Sequence, residues 1–176
     1  MNYNNFDKIF NHIKSGQYKN LDNFNLDEIN IVLKLKFNGI IPTEVKKYCL
    51  TEVRTGQQHF RDSIIKRDTL CILSNKHSTI CQASHILDFK NSNNQEKYDI
   101  NNGLLLSNDL HKAFDNNFFT FNQDTCRLEI MYDIIQNKNI DITDLYIKKY
   151  EGKYIKQLDN IRSKKYLLKR NQLLKN

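Results

Sequence analysis

The chain has 176 residues, 39% of them hydrophobic with nine Tyr and ten Phe, which argues for one folded domain with elaborations and against disorder. No apolar run approaches the ~18 residues of a membrane span, and the opening MNYNNFDKIF lacks the basic start and apolar centre of a secretory signal, so a soluble, cytoplasmic protein is expected. The net charge of +7 is unevenly placed: from Tyr146 to Asn176, ten Lys or Arg face only Glu151 and Asp159.

That basic block, interleaved with Tyr146, Tyr150, Tyr154 and Tyr166, suits a phosphate-binding surface, and equally a solvated Lys-rich helical face. Cys49, Cys71, Cys81 and Cys126 have no paired spacing, so free thiols are expected. With no C-x-x-C pair, Cys71 reads as a small core residue and not as part of a zinc knuckle.

In chain order, a first helix runs from about Asn5 to Lys14 and ends before Gly16. NLDEINIVLKLKFNG reads as a second, with Asn25 as cap, Asp27 and Glu28 at its positive end and Gly39 closing it. TGQQHFRDSIIKRD puts Phe60, Ile64 and Ile65 on one side of a third, with Arg61 beside them. TLCILS and STICQASHI read as strands. The polar run from Asp88 to Gly103 is a loop long enough to be functional or disordered. LLL is a buried strand, Ser107 can cap the helix that follows, and NNFFTFNQDTCRLEI reads as a hairpin turning near Asn122 to Asp124. Helices are expected at Ile142–Tyr150 and Ser163–Leu174.

His111 and Asp115, four apart, share one face of their helix, the geometry by which one helix offers a nitrogen and an oxygen to a divalent cation; such a pair also serves as a surface hydrogen bond. His85 ends an apolar strand where the long loop begins, suited to taking a proton or to being a satisfied, half-buried side chain. Asn102 before Gly103 is a turn signal that can also brace the loop.

In order, these are His85, Asn102 and His111. Together with RTGQQHFR (Arg54 to Arg61), Cys71, ASHI (Ala83 to Ile86), NGLLL (Asn102 to Leu106) and LHKAFDNNFFTF (Leu110 to Phe121), the segment from about 51 to 132 resembles the HNH endonucleases of the ββα-metal fold, the restriction-type proteins in particular. The resemblance implies an α+β fold: a central ββα-metal motif and following hairpin (51–132) between a helical N-terminal accessory or recognition region (1–50) and a basic helical C-terminal region (133–176). It implies a metal-dependent DNA endonuclease with His85 as general base, Asn102 bracing the loop, and His111 with Asp115 as ligands of one divalent ion (Mg²⁺ in the cell; Mn²⁺, Ni²⁺ or Zn²⁺ as others).

The sequence departs from the family at Ser84, where many members carry a metal-binding Asp or His; its hydroxyl is at most a weak ligand. Asp88, Asp99 and Asp109 stay open as further ligands. Double-stranded DNA is the expected partner, with Arg61 and Arg54 grounding the phosphate and Lys164, Lys165, Lys169 and Arg170 gripping the backbone. Cutting both strands requires a homodimer or two binding events. A non-catalytic nucleic-acid-binding protein on a degenerate HNH scaffold is the alternative.

Overall fold

The computed structural model describes residues 3–24, 26–36 and 43–175; within these, the side chains of 3–4, 22, 26 and 43–54 lie outside the description. The expected cap Asn25, the expected stop Gly39 and the side chain of Arg54 therefore lie outside the described residues. The chain divides into two compact units, Met1–Gln57 and Gln58–Asn176.

In the first unit, helices α1 (Tyr3–Lys14) and α2 (Leu26–Lys36) enclose a small core of Ile9, Ile13, Leu21, Ile29, Val32 and Leu33. Ile9 and Ile13 are one turn apart on one face, and Asp27 and Glu28 sit in the first turn of α2, where the helix dipole favours negative charge. A long helix, α3 (Thr43–Asp68), begins in this unit and ends in the second.

The second unit has an α+β fold built on a ββα motif. Strand β1 (Cys81–His85) pairs antiparallel with β2 (Gly103–Ser107), Ser84 opposite Leu104 and His85 opposite Gly103. Helix α4 (Asn108–Asp115) follows at once and packs on both strands. All five residues of β2 are buried, so both faces of Leu104, Leu105 and Leu106 meet apolar neighbours and the strand reads as an unbroken apolar run. Asp68, its side chain fully enclosed, accepts the Leu105 N–H at 3.1 Å, while the Ile72 N–H donates to Leu105 O at 3.0 Å. Beside it, Arg67 donates to Ile100 O and Gly103 O, both at 2.8 Å.

A second hairpin, β3 (Phe119–Phe121) with β4 (Leu128–Ile130), matches the expected position. Helices α5 (Tyr132–Asn137) and α6 (Ile161–Leu174) complete the unit, contributing Ile135, Tyr166 and Leu167 to the same core. Asn160 caps α6, its side chain accepting the Ser163 N–H at 2.9 Å. Among the described residues no helix is long and apolar enough to cross a membrane.

Two local expectations are corrected, and one helix is added. TLCILS is not a strand: only Leu70 bridges, to His77, and 71–75 turn back with Asn75 at φ 57°. The reason is Cys71, buried and free, whose Sγ accepts the N–H groups of Ser74 and Ser107 at 3.3 Å each. The expected helix at Ile142–Tyr150 is two short 3-10 turns broken by Tyr146 in the left-handed region (φ 51°). Helix α5 was not foreseen.

Candidate active site

The end of β1, the loop to β2 and the exposed face of α4 bring His85, Asn102, Ser84, His111 and Asp115 into one region. Asn102 is fully buried and holds that loop. Its Oδ1 accepts the Leu87 N–H at 2.8 Å, and its Nδ2 donates to Leu87 O (3.1 Å), Glu96 O (3.0 Å) and Ser92 Oγ (3.3 Å). Its backbone carbonyl takes the Ile86 N–H at 2.8 Å. A buried amide with every polar atom engaged fixes the chain immediately after His85.

His85 is half-buried and held on three sides. Its ring stacks on Phe60 of α3 (centroids 4.3 Å apart, planes within 6°) and meets Phe89 edge-on at 5.8 Å. Its Nε2 lies 2.8 Å from Lys97 O. A carbonyl only accepts, so Nε2 carries the hydrogen and Nδ1 keeps the lone pair. Burial pushes the imidazole below the ordinary histidine range, outweighing the Lys97 carbonyl and the carboxylates of Asp115 and Asp88, which favour its protonation. His111 also acts on it, in the opposite sense to these carboxylates, so the imidazole at 85 lies within the electrostatic reach of the pair on α4.

Gly103, opposite His85, is an absence of side chain that the stack requires. A Cβ there would lie 2.5 Å from Phe60 Cζ and 2.5 Å from Ile64 Cδ1.

On α4, His111 Nε2 is 3.4 Å from Asp115 Oδ2, and His111 Nδ1 is 2.7 Å from Ser84 Oγ. Ser84 is fully buried, whereas Asp115 is exposed and His111 half-buried. The hydroxyl at 84, expected as a weak ligand, is thus engaged with the ring of His111. The nitrogen left to face outward, Nε2, is the one beside the carboxylate, and this donor pair suits one divalent cation. Among the described residues no group of three or more His, Cys, Asp or Glu side chains could hold a metal ion. Two protein donors plus water or phosphate oxygens is the set these residues fit. Of the open candidates, Asp99 is engaged by Tyr166 and Asn101 and Asp109 by Lys76, while Asp88 pairs with Lys90 at 3.7 Å.

The basic residues divide by environment. Arg61 donates to Cys81 O (2.9 Å) and Gln82 Oε1 (3.2 Å), anchoring the start of β1. Lys164 pairs with Asp159 at 2.7 Å, Lys169 pairs with Glu96, and Lys165 is exposed beside Arg162 on a polar groove that reaches Glu96 and Asp99. Arg170 is corrected: only 7% exposed, it points inward, donating to Phe114 O (2.7 Å), Asn117 Oδ1 (2.7 Å) and Ile86 O (3.2 Å) over the Phe114 ring. Burial pushes its guanidinium down to about 10, and the expected phosphate contact is replaced by these internal bonds.

Phe60, Phe89, Lys97 and Gly103 were not picked out as site residues. Lys97 acts through its backbone carbonyl, which leaves no mark on residue type, and Gly103 acts by lacking a side chain. Phe60 was legible as an apolar helix position but not as the stacking partner of His85.

Residues 70–122 match a family model described as HNH endonuclease, a span running from the turn around Cys71 through β1, the braced loop, β2 and α4 to β3. No curated protein matches the chain.

Proposed function

From the match of residues 70–122 to the HNH endonuclease family model we propose that the chain is a divalent-metal-dependent DNA endonuclease, of the restriction type, in which His85 is the general base and His111 and Asp115 hold the metal ion. The observation that carries this reading is the orientation of the two imidazoles. His85 has Nε2 tied to Lys97 O, leaving Nδ1 as its basic nitrogen; His111 has Nδ1 tied to Ser84, leaving Nε2 beside Asp115.

His85 must be neutral to take a proton from water, and its burial against Phe60 and Phe89 favours the neutral form. The Nε2–H bond to Lys97 O keeps Nδ1 free and stabilises the imidazolium as the proton arrives. Asn102 keeps the 86–87 backbone, and with it the ring, from drifting. For His111 to offer Nε2 to a metal, Nδ1 must carry the hydrogen and donate it to Ser84 Oγ, a geometry the 2.7 Å separation allows. A bound divalent ion supplies Lewis-acid stabilisation of the charge developing on the phosphoryl and departing 3′ oxygens. Lys165, Lys164, Lys169 and Arg61 are the side chains we assign to the DNA backbone, and binding through them weakens steeply with salt.

Ser84 favours the second reading, a nucleic-acid-binding protein without catalysis, because the position at which the resemblance implies a metal-binding Asp or His carries a hydroxyl, and that hydroxyl is engaged with His111 Nδ1. Supercoiled plasmid incubated with Mg²⁺, Mn²⁺ or Ni²⁺, with EDTA and His85→Ala controls, separates the two. Endonuclease action gives nicked or linear DNA that requires both metal and His85, with His85→Ala slowed about 10²- to 10⁴-fold while DNA binding persists. Binding of several DNAs without cutting under any of these metals supports the second reading instead.

A further inference from the structure

Arg170 lies on α6, beyond the 70–122 segment that matches the family, yet its guanidinium reaches both halves of the site. Nη1 donates to Ile86 O, the carbonyl one residue past His85; Nη2 donates to Phe114 O, the carbonyl between His111 and Asp115 in the chain. The same Nη2 also donates to Asn117 Oδ1, and the guanidinium carbon sits 3.8 Å above the Phe114 ring.

The stretch 86–87 is held at its other polar atoms by Asn102, through the Ile86 N–H, the Leu87 N–H and Leu87 O. Ile86 O is the one that Asn102 leaves, and Arg170 takes it. At the far end, Phe114 O belongs to the C-terminal turn of α4, where carbonyls lack intrahelical partners and the dipole favours a cation. That turn is closed by a Schellman arrangement, with the Phe118 N–H on Ala113 O, the Asn117 N–H on Phe114 O and Asn117 at φ 61°. A buried guanidinium is costly to desolvate, and an apolar side chain of similar volume would fill the space more cheaply. What an apolar residue cannot do is tie two carbonyls on two different elements at once.

We propose that Arg170 is a positioning residue: a strut from α6 that sets the strand carrying His85 against the helix carrying His111 and Asp115. The proposal rests on the reading of those three side chains as one site. It also makes α6 part of the catalytic unit, in addition to any role in binding DNA.

The test compares Arg170→Met, which keeps volume but loses the fork; Arg170→Lys, which keeps charge; and Asn117→Gly, which tolerates the positive φ and removes only one of the arginine's partners. For each we would measure the melting transition, DNA affinity without metal, the single-turnover cleavage rate at saturating protein, and the ¹⁵N resonances of the His85 and His111 rings. In folded Arg170→Met, the expected results are DNA affinity within about twofold of wild type, cleavage slowed on the order of 10²-fold as for a displaced reacting group, and movement of both imidazoles' resonances. Arg170→Lys recovers part of the rate, and Asn117→Gly shows a smaller loss in the same direction. Wild-type cleavage by Arg170→Met, or a loss matching only its unfolded fraction with both imidazoles unmoved, overturns the strut. If Arg170→Met does not fold, the other two decide: slower cutting by folded protein supports the proposal, and unchanged cutting overturns it. If the wild-type protein itself does not cut DNA, the endonuclease reading fails, and the resonances alone decide the strut: both moving supports it, either staying fixed overturns it.

Discussion

Ser84 Oγ lies 2.7 Å from His111 Nδ1, across from β1 to α4. The hydroxyl that the sequence suggested as a weak ligand is engaged with the ring of His111, and in the proposed mechanism it orients that ring. Ser84→Ala removes that bond, lets the imidazole rotate and exchange tautomers, and leaves Nδ1 without its partner. Loss of such an orienting partner typically costs 10- to 100-fold in metal affinity. Calorimetric titration of the Ser84→Ala protein with Mn²⁺ is expected to show a drop in that range, with the fold retained; unchanged affinity would mean that the hydroxyl does not orient the ligand.

The pH dependence follows from the burial of His85. The unfolded ring titrates near 6.5, and the folded ring takes up its proton only below that, because burial disfavours the cation. The single-turnover rate is therefore expected to be flat above about pH 6.5 and to fall as pH drops through the lowered value. Stability has the same sign. The contribution from keeping His85 neutral is complete above the unfolded pKa and is lost as pH falls toward the folded one. Phe60→Ala opens the stack to water and should move the kinetic inflection up toward 6.5; an inflection that stays in place would sever the link between stacking and basicity.

Asn102 combines full burial with four side-chain hydrogen bonds to the loop. Asn102→Ala is expected to destabilise the domain by about 3 kcal/mol or more, since several buried groups lose their partner together. Asn102→Asp retains the acceptor for the Leu87 N–H but sets a carboxylate against the carbonyls of Leu87 and Glu96. It should be at least as damaging, despite matching the volume. Urea melts of both variants check this, and an Asp variant as stable as wild type would contradict it.

Gly103 is required for space and not for conformation, because its φ of −136° is open to any residue. Gly103→Ala drives a Cβ into Phe60 and Ile64. Overpacking of this kind costs roughly 1–3 kcal/mol, and displacement of Phe60 should slow cleavage beyond the loss of folded protein. Thermal melts together with rates normalised to folded fraction would test it; a normalised rate equal to wild type would show that the stack tolerates the shift.

The order strand, long loop, strand, helix was legible in the sequence because its signals are local: an apolar run in LLL, a polar stretch before it, and His111 and Asp115 at helical spacing after it. The turn at 70–77 was not, because the preference of Leu70, Ile72 and Leu73 for strands is overridden by a thiol that gathers backbone N–H groups, a tertiary effect. Arg170 misled for a related reason. It lies in a Lys-rich run with the composition of a solvated face, and only the packing of α6 shows that this one cation turns inward. Lys97 could not have been found from residue type, since its carbonyl is the acting group.

Whether His111 and Asp115 hold one divalent ion within reach of the basic nitrogen of His85 is tested most directly by anomalous diffraction from crystals of the protein grown with Zn²⁺. The expected result is a single strong peak about 2.1 Å from both His111 Nε2 and an Asp115 carboxylate oxygen, on the side that His85 Nδ1 faces, with Ser84 still bonded to His111 Nδ1. A metal bound by other side chains, or a His111–Asp115 pair that excludes metal while Zn²⁺ is present, would contradict it.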